Sequence, residues 1–178
     1  MAPHLSYQCW NFKQTDEIRE IYLKRVNVLR QLISQGAADC KARAKCPQGK
    51  NIYRLYWDCL LEMEAQKAVD QCTVTVKQPN DATIIIKEQT LTSCNPTPLF
   101  KQTVNEWWNV VETHGLDANA LNKDGLESFA ALAHGTATRI GCAQRNCNGK
   151  LYLACAVFKK YVNSVGNFYL RIGKHWFP

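Results

Sequence analysis

The chain has 178 residues, of which 46% are hydrophobic. That is long enough for one domain with a substantial core of its own, and it excludes a mainly disordered chain. No stretch reaches the roughly 18 uncharged apolar residues of a membrane span, so a transmembrane placement is rejected. The net charge is +7 and unevenly placed: Ser128 to Pro178 holds no Asp or Glu, while Arg139, Arg145, Lys150, Lys159, Lys160, Arg171 and Lys174 supply the whole excess.

Between Thr15 and Gln35 the residues Ile18, Ile21, Tyr22, Val26, Leu29, Leu32 and Ile33 recur at three- and four-residue spacing, the apolar face of a long helix. Thr15 suits its cap, Asp16 and Glu17 its first turn, and Gly36 its stop. Ala37 to Lys50 reads as a basic loop, part of a second cluster of Lys41, Arg43, Lys45, Lys50 and Arg54. A second helix is expected from about Trp57 to Cys72. Thr73–Val76 and Thr83–Ile86 are β-branched runs on either side of the turn-forming Pro79-Asn80-Asp81, so two strands are expected there. A third helix starts after Asn95-Pro96-Thr97-Pro98 and ends near Gly115. Thr136 to Arg145 and Lys150 to Phe158 flank Asn148-Gly149, a strong type I′ hairpin signal. The expected fold class is α+β: one domain over 1–178, with helices packed on an antiparallel sheet, residues 1–14 an arm and 168–178 a tail.

Nine cysteines stand at 9, 40, 46, 59, 72, 94, 142, 147 and 155. No Cys-x-x-Cys pair is present, which argues against a zinc ribbon and for a disulfide framework. Disulfides imply an oxidising compartment, hence a secreted, extracellular protein. Met1-Ala2-Pro3-His4 carries no apolar signal core, so the expectation is that a leader was removed and Met1 added. Nine is odd, and one thiol is expected to be free or paired elsewhere.

Taken in order, several landmarks resemble the CAP superfamily, and within it the activation-associated secreted proteins of nematodes. They are Asn27-Val28-Leu29-Arg30, Trp57-Asp58-Cys59 with Leu61-Glu62, Gln78-Pro79-Asn80, Glu106-Trp107-Trp108, Ile140-Gly141-Cys142, Cys147, Leu151 to Cys155 and Gly166-Asn167. The resemblance spans about Asp16 to Gly173. It implies an α-β-α sandwich with a central cleft, an antiparallel sheet between helical layers, and the disulfides Cys72–Cys147, Cys142–Cys155 and Cys9–Cys59. It leaves Cys40, Cys46 and Cys94, of which two are free to pair. In many members the cleft holds two His and two Glu that bind zinc. Carried over one at a time, those positions fall on Val76, on Lys87 (or Glu88 if one residue is inserted), on Val110 and on Ser128. Neither valine nor a lysine ammonium can ligate a cation, so no metal, no other cofactor and no catalytic residue is expected.

No Gly-x-Ser-x-Gly elbow, phosphate-binding glycine loop or flanked nucleophilic Cys supplies another chemistry. Glu62 and Glu64 lie two apart on a helix, face different directions, and are read as solvated surface. Trp107-Trp108 and His134 are read mainly as core. The expected function is that of a secreted, non-catalytic parasite effector. The resemblance points to a host cell-surface or plasma protein as partner, with an integrin of platelet or leukocyte adhesion as the expected target. The chain has no Arg-Gly-Asp, and Lys123-Asp124-Gly125 is a different order. Lipid or sterol carriage and sulfated-glycan attachment are the alternatives. The partner-binding candidates are the seven basic residues of the C-terminal third, on which glycan attachment would rest, and Trp176 of the terminal His175-Trp176-Phe177-Pro178, whose aromatics either tuck down to hold the terminus or are exposed as a contact. Nucleic acid shares the charge signal but has no motif here and is not an expected partner.

Overall fold

Thr15 opens the first helix: its hydroxyl accepts the Ile18 N–H, and Asp16 and Glu17 place carboxylates against the positive end of the helix dipole. Helix α1 (Asp16–Ser34) buries Tyr22, Val26, Leu29 and Ile33 of the predicted face and Leu23 besides, while Ile18, Ile21 and Leu32 are partly buried. The computed structural model describes residues 6–50, 52–116 and 124–158, and the backbone of 171–172. The basic loop after α1 contains a short 3-10 turn at Lys41–Arg43 and ends in β1 (Gly49–Lys50). Next come β2 (Tyr56–Trp57), α2 (Cys59–Val69), β3 (Ala82–Thr90), α3 (Thr97–His114), α4 (Glu127–Ala133), β4 (Arg139–Cys147), β5 (Lys150–Phe158) and β6 (Arg171–Ile172).

The second helix starts two residues later than the sequence predicts, because the Asp58 carboxylate accepts the N–H groups of Leu60 and Leu61 and so fixes the start at Cys59. Thr73–Val76 is not a strand. No neighbouring strand pairs with it among the described residues; Cys72 has φ +52, and the Thr75 N–H goes to the Thr73 hydroxyl instead of a ladder. Helix α4 was not foreseen. Its seven residues carry no capping side chain and only two turns of pattern, and its five buried residues show that packing creates it.

The main sheet runs β2-β4-β5-β3. Strands β3, β5 and β4 are antiparallel, but β2 pairs parallel to β4 through Tyr56–Arg139 and Trp57–Ile140, so the sheet is mixed rather than purely antiparallel. Asn148 and Gly149 both have positive φ, +53° and +83°, as a type I′ turn requires. Along β5, Leu151, Leu153, Cys155 and Val157 belong to the core shared with α1, α3 and α4, whereas Tyr152, Ala154 and Ala156 belong to the core under α2. Alternation along one strand thus builds both halves of an α-β-α sandwich. The α2 side is lined by small residues. A Cβ at Gly141 would lie 2.0 Å from the Glu62 backbone N, so only glycine lets α2 sit this close to β4.

Four disulfides staple these layers. Cys142–Cys155 joins directly paired residues of β4 and β5, 4.0 Å apart at Cα. Cys72–Cys147 ties the exit of α2 to the hairpin end, and Cys9–Cys59 fastens the N-terminal arm to the first residue of α2. Cys40–Cys46 closes the basic loop, leaving Cys94 exposed and unpaired.

Candidate functional site

The segment after α2, strand β3, Trp107 of α3 and the first residues of α4 line an open cavity of about 540 Å³. Val76, Lys87 and Ser128 all line it, so the chain brings three of the four carried-over positions together. Val110 does not line this cavity; it is half-buried and packed against the main core. Of the two readings for β3, Lys87 faces the cavity, whereas the Glu88 carboxylate accepts the Tyr152 hydroxyl at 2.7 Å and pairs with Lys150 at 2.7 Å.

A tetrahedral zinc site needs neutral imidazole, thiolate or carboxylate donors. At the carried-over positions this cleft offers Val76, the Lys87 ammonium and a Ser128 hydroxyl that already donates to the Trp107 carbonyl at 2.8 Å, and its lining adds one carboxylate, Glu127. The residues do not fit a metal centre. Among the described residues no group of three or more His, Cys, Asp and Glu could hold an ion. Lys87 of the cleft wall pairs with Glu106 of α3, Nζ to Oε2 at 2.8 Å. Burial pushes the Glu106 carboxyl up, but Lys87 and the side-chain amides of Gln102 and Gln89 outweigh it and hold the group below the usual carboxylate range.

Away from the β3 edge, α1, α2 and β2 hold a network that the sequence did not disclose. Glu62 is fully buried, not solvated: Arg19 donates to it twice, at 2.7 and 2.8 Å, and the Trp57 indole N–H donates at 2.7 Å. The Glu62 hydrogen bond is the main reason the Arg19 guanidinium is held above its ordinary pKa. Arg30, 1% exposed, has no carboxylate partner. Its five N–H groups go to the carbonyls of Tyr53, Leu132, His134 and Ala137, and burial lowers its pKa to about 10. The Asn27 amide binds both the N–H and the C=O of Leu55. The Asn-x-x-Arg spacing on α1 therefore pins the segment before β2 and the turn before β4. Trp107, Trp108 and His134 are buried.

The described cations of the C-terminal third are engaged. Arg139 pairs with Asp58 at 3.0 Å and lies 4.9 Å from the Phe158 ring centroid, Arg145 pairs with Asp70 at 2.8 Å, and Lys150 pairs with Glu88. Burial pushes the Asp70 carboxyl up, but hydrogen bonds from Arg145, Lys13 and Gln66 outweigh it and hold the group below its usual range. Lys159, Lys160, Lys174 and Trp176 lie outside the described residues, and Arg171 is described only as backbone in β6. Sequence reading also missed exposed apolar residues on the arm and on α2: Phe12 is 95% exposed, Leu60 and Trp10 are exposed, and the Trp10 indole contacts Met63 Sδ at 3.1 Å. The alternation that marks core gives no signal for an arm held by a disulfide. A second cavity, of about 600 Å³, lies between α1 and α3, with Ile21 and Val28 as its apolar part and Lys24, Arg25 and Lys101 as cations.

A stapled α-β-α sandwich with a cleft at this place is the architecture of the cysteine-rich secretory protein family. Residues 23–161 match the model of that family, CAP, and the chain belongs to it. It is 28% identical over 152 residues to Ancylostoma secreted protein of Ancylostoma caninum, a match covering 84% of this chain and 36% of that one. It is 25% identical over 144 residues to hookworm platelet inhibitor 1 of the same species, covering 80% of this chain and 64% of that one. The chain thus spans less than two thirds of either relative's length. Among solved structures, Na-ASP-1 superposes with a TM-score of 0.86 at 24% identity, covering 95% of this chain and 43% of that one. NaASP2 with Zn2+ superposes at 0.85 and 19% identity, covering 93% and 91%. Both show the shared fold.

Proposed function

We propose that this protein is a secreted, non-catalytic parasite effector that binds a host protein and antagonises integrin-mediated adhesion of platelets or leukocytes. The observation that carries the reading is the cleft. Its ligand positions hold Val76, Lys87 and Ser128, and the lysine is consumed by Glu106, while the stapled scaffold around it is intact. A scaffold kept rigid by four disulfides but without ligating groups suits display of a surface. Support for the target comes from the likeness to a relative named for platelet inhibition, and support for secretion comes from the disulfides and the secreted relatives. Integrin-dependent adhesion of platelets and leukocytes, measured with added protein, is the test; unchanged adhesion at micromolar protein sinks the integrin target.

The cavity between α1 and α3 favours a second reading, carriage of an amphiphile with an anionic head, since Ile21 and Val28 share its lining with Lys24, Arg25 and Lys101, three cations against the one carboxylate of Glu20. Uptake of labelled fatty acid or sterol by purified protein tests it, and no uptake with no lipid on extraction ends it. Sulfated-glycan attachment has weaker support, because Arg139, Arg145 and Lys150 are each held by a carboxylate.

A further inference from the structure

Strand β3 lies at the edge of the main sheet, and its nine residues pair in unbroken register with Phe158 through Lys150 of β5. In an antiparallel ladder the N–H and C=O of successive residues point alternately toward the partner strand and away from it. Ile84 shows which set points away. Its N–H donates to Gln78 Oε1 at 2.7 Å, and its C=O accepts from Gln78 Nε2 at 3.0 Å. The Gln78 carboxamide closes at Ile84 the two-bond ring that an added strand would close. By the same alternation the backbone groups of Ile86 and Glu88 face outward, and no described residue bonds them. Ile86 lines the 540 Å³ cavity, which Val74, Thr75 and Val76, a segment in no strand, also line.

We infer that the β3 edge at Ile86 and Glu88 is a strand-addition site for an extended peptide segment, seated in the cleft between β3 and residues 74–76 and continuing the pairing that Gln78 begins. The inference rests on the reading of the protein as a partner-binding scaffold and names the chemistry of the partner's segment. Unpaired edge strands recruit extended backbone, with pockets on alternate sides setting preference. Here the two sides differ. One presents Ile84, Ile86 and Val76, and the other presents the Lys87–Glu106 pair. The fitting segment alternates apolar and polar residues.

The test uses the full chain with its disulfides, and random heptapeptides displayed on phage as the probe. A selected peptide should lose about tenfold or more in affinity when N-methylated at one alternate set of residues, and about twofold or less at the other set, because only one set donates to the edge. Amide exchange at Ile86 and Glu88 should slow by about tenfold or more on binding. Gln78→Ala, which releases the Ile84 groups and lengthens the edge, should tighten binding by about threefold, and Ile86→Pro, which removes an outward N–H, should abolish it. Equal sensitivity to both methylation sets, unchanged exchange at Ile86 and Glu88, or no selected peptide overturns the site. Binding of the chain to platelets and leukocytes is measured in parallel. Cell binding that persists while the peptide arms fail sinks the strand-edge site alone, whereas failure of cell binding with the peptide arms intact sinks only the integrin reading.

Discussion

Glu62 shows how far a single residue can depart from its pattern. On the helix it stands where a solvated carboxylate is expected, yet it is fully buried between α2 and α1 and holds Arg19 in a two-bond fork. Stripping a buried charge of its partner costs about 3–5 kcal/mol, but Arg19 keeps the Asp16 carboxylate at 2.7 Å when Glu62 is neutralised, so the loss falls short of that. Glu62→Gln should therefore lower the urea unfolding free energy by about 2–3 kcal/mol, while Glu64→Gln, which loses only an exposed pair with Lys67, should change it by about 0.5 kcal/mol or less. Asp70 and Glu106 are held below the usual carboxylate range in the folded protein. Their contribution is complete above the unfolded pKa of about 4 and is lost as pH falls through the lower folded values. Asp70→Asn should thus reduce the fall in Tm between about pH 5 and pH 2, measured by calorimetry. A sequence cannot show any of these partners, because Arg19 and Glu62 are 43 residues apart and Asp70 and Arg145 are 75 apart.

At the scale of elements, what could be read from the sequence was what local chemistry decides. Thr15 and the apolar stripe of α1 were legible, and so was the hairpin at Asn148-Gly149, because a cap and a type I′ turn are fixed by a few adjacent residues. Thr73–Val76 misled because β-branching shows fitness for a sheet but not the presence of a neighbour to pair with. Helix α4 was invisible because packing rather than pattern makes it. In the cleft, the gathering of Val76, Lys87 and Ser128 and the role of Gln78 at the sheet edge appeared only with the fold. Gly141 and Gly149 separate contact from conformation. An added Cβ at Gly141 meets the α2 backbone, whereas at Gly149 it meets nothing within 4 Å and only the positive φ opposes it. Gly141→Ala should cost about 3 kcal/mol or more, since both elements would have to part, and Gly149→Ala about 1–2 kcal/mol. Denaturant titrations giving equal costs would contradict the close packing of α2 on β4.

Across the molecule, the cross-links differ in span and so in expected worth. Cys72–Cys147 closes a separation of 75 residues and Cys40–Cys46 one of 6. Chain entropy alone gives about 4 kcal/mol for the first and about 2 kcal/mol for the second. Paired Cys→Ser variants should follow that order in thermal unfolding. The family, the sandwich and the disulfide framework were legible because cysteine spacing and motif order span nearly the whole chain. The partner was not, because a binding face carries no required chemistry in the way a metal centre does.

The central claim, that this scaffold acts by binding a host protein, is tested most directly by saturable binding of labelled full chain to platelets and leukocytes, with excess heparin and with integrin-blocking antibodies. The account predicts saturable binding that survives heparin and is lost to one antibody. Binding abolished by heparin and indifferent to every antibody, or no saturable binding at all, would contradict it.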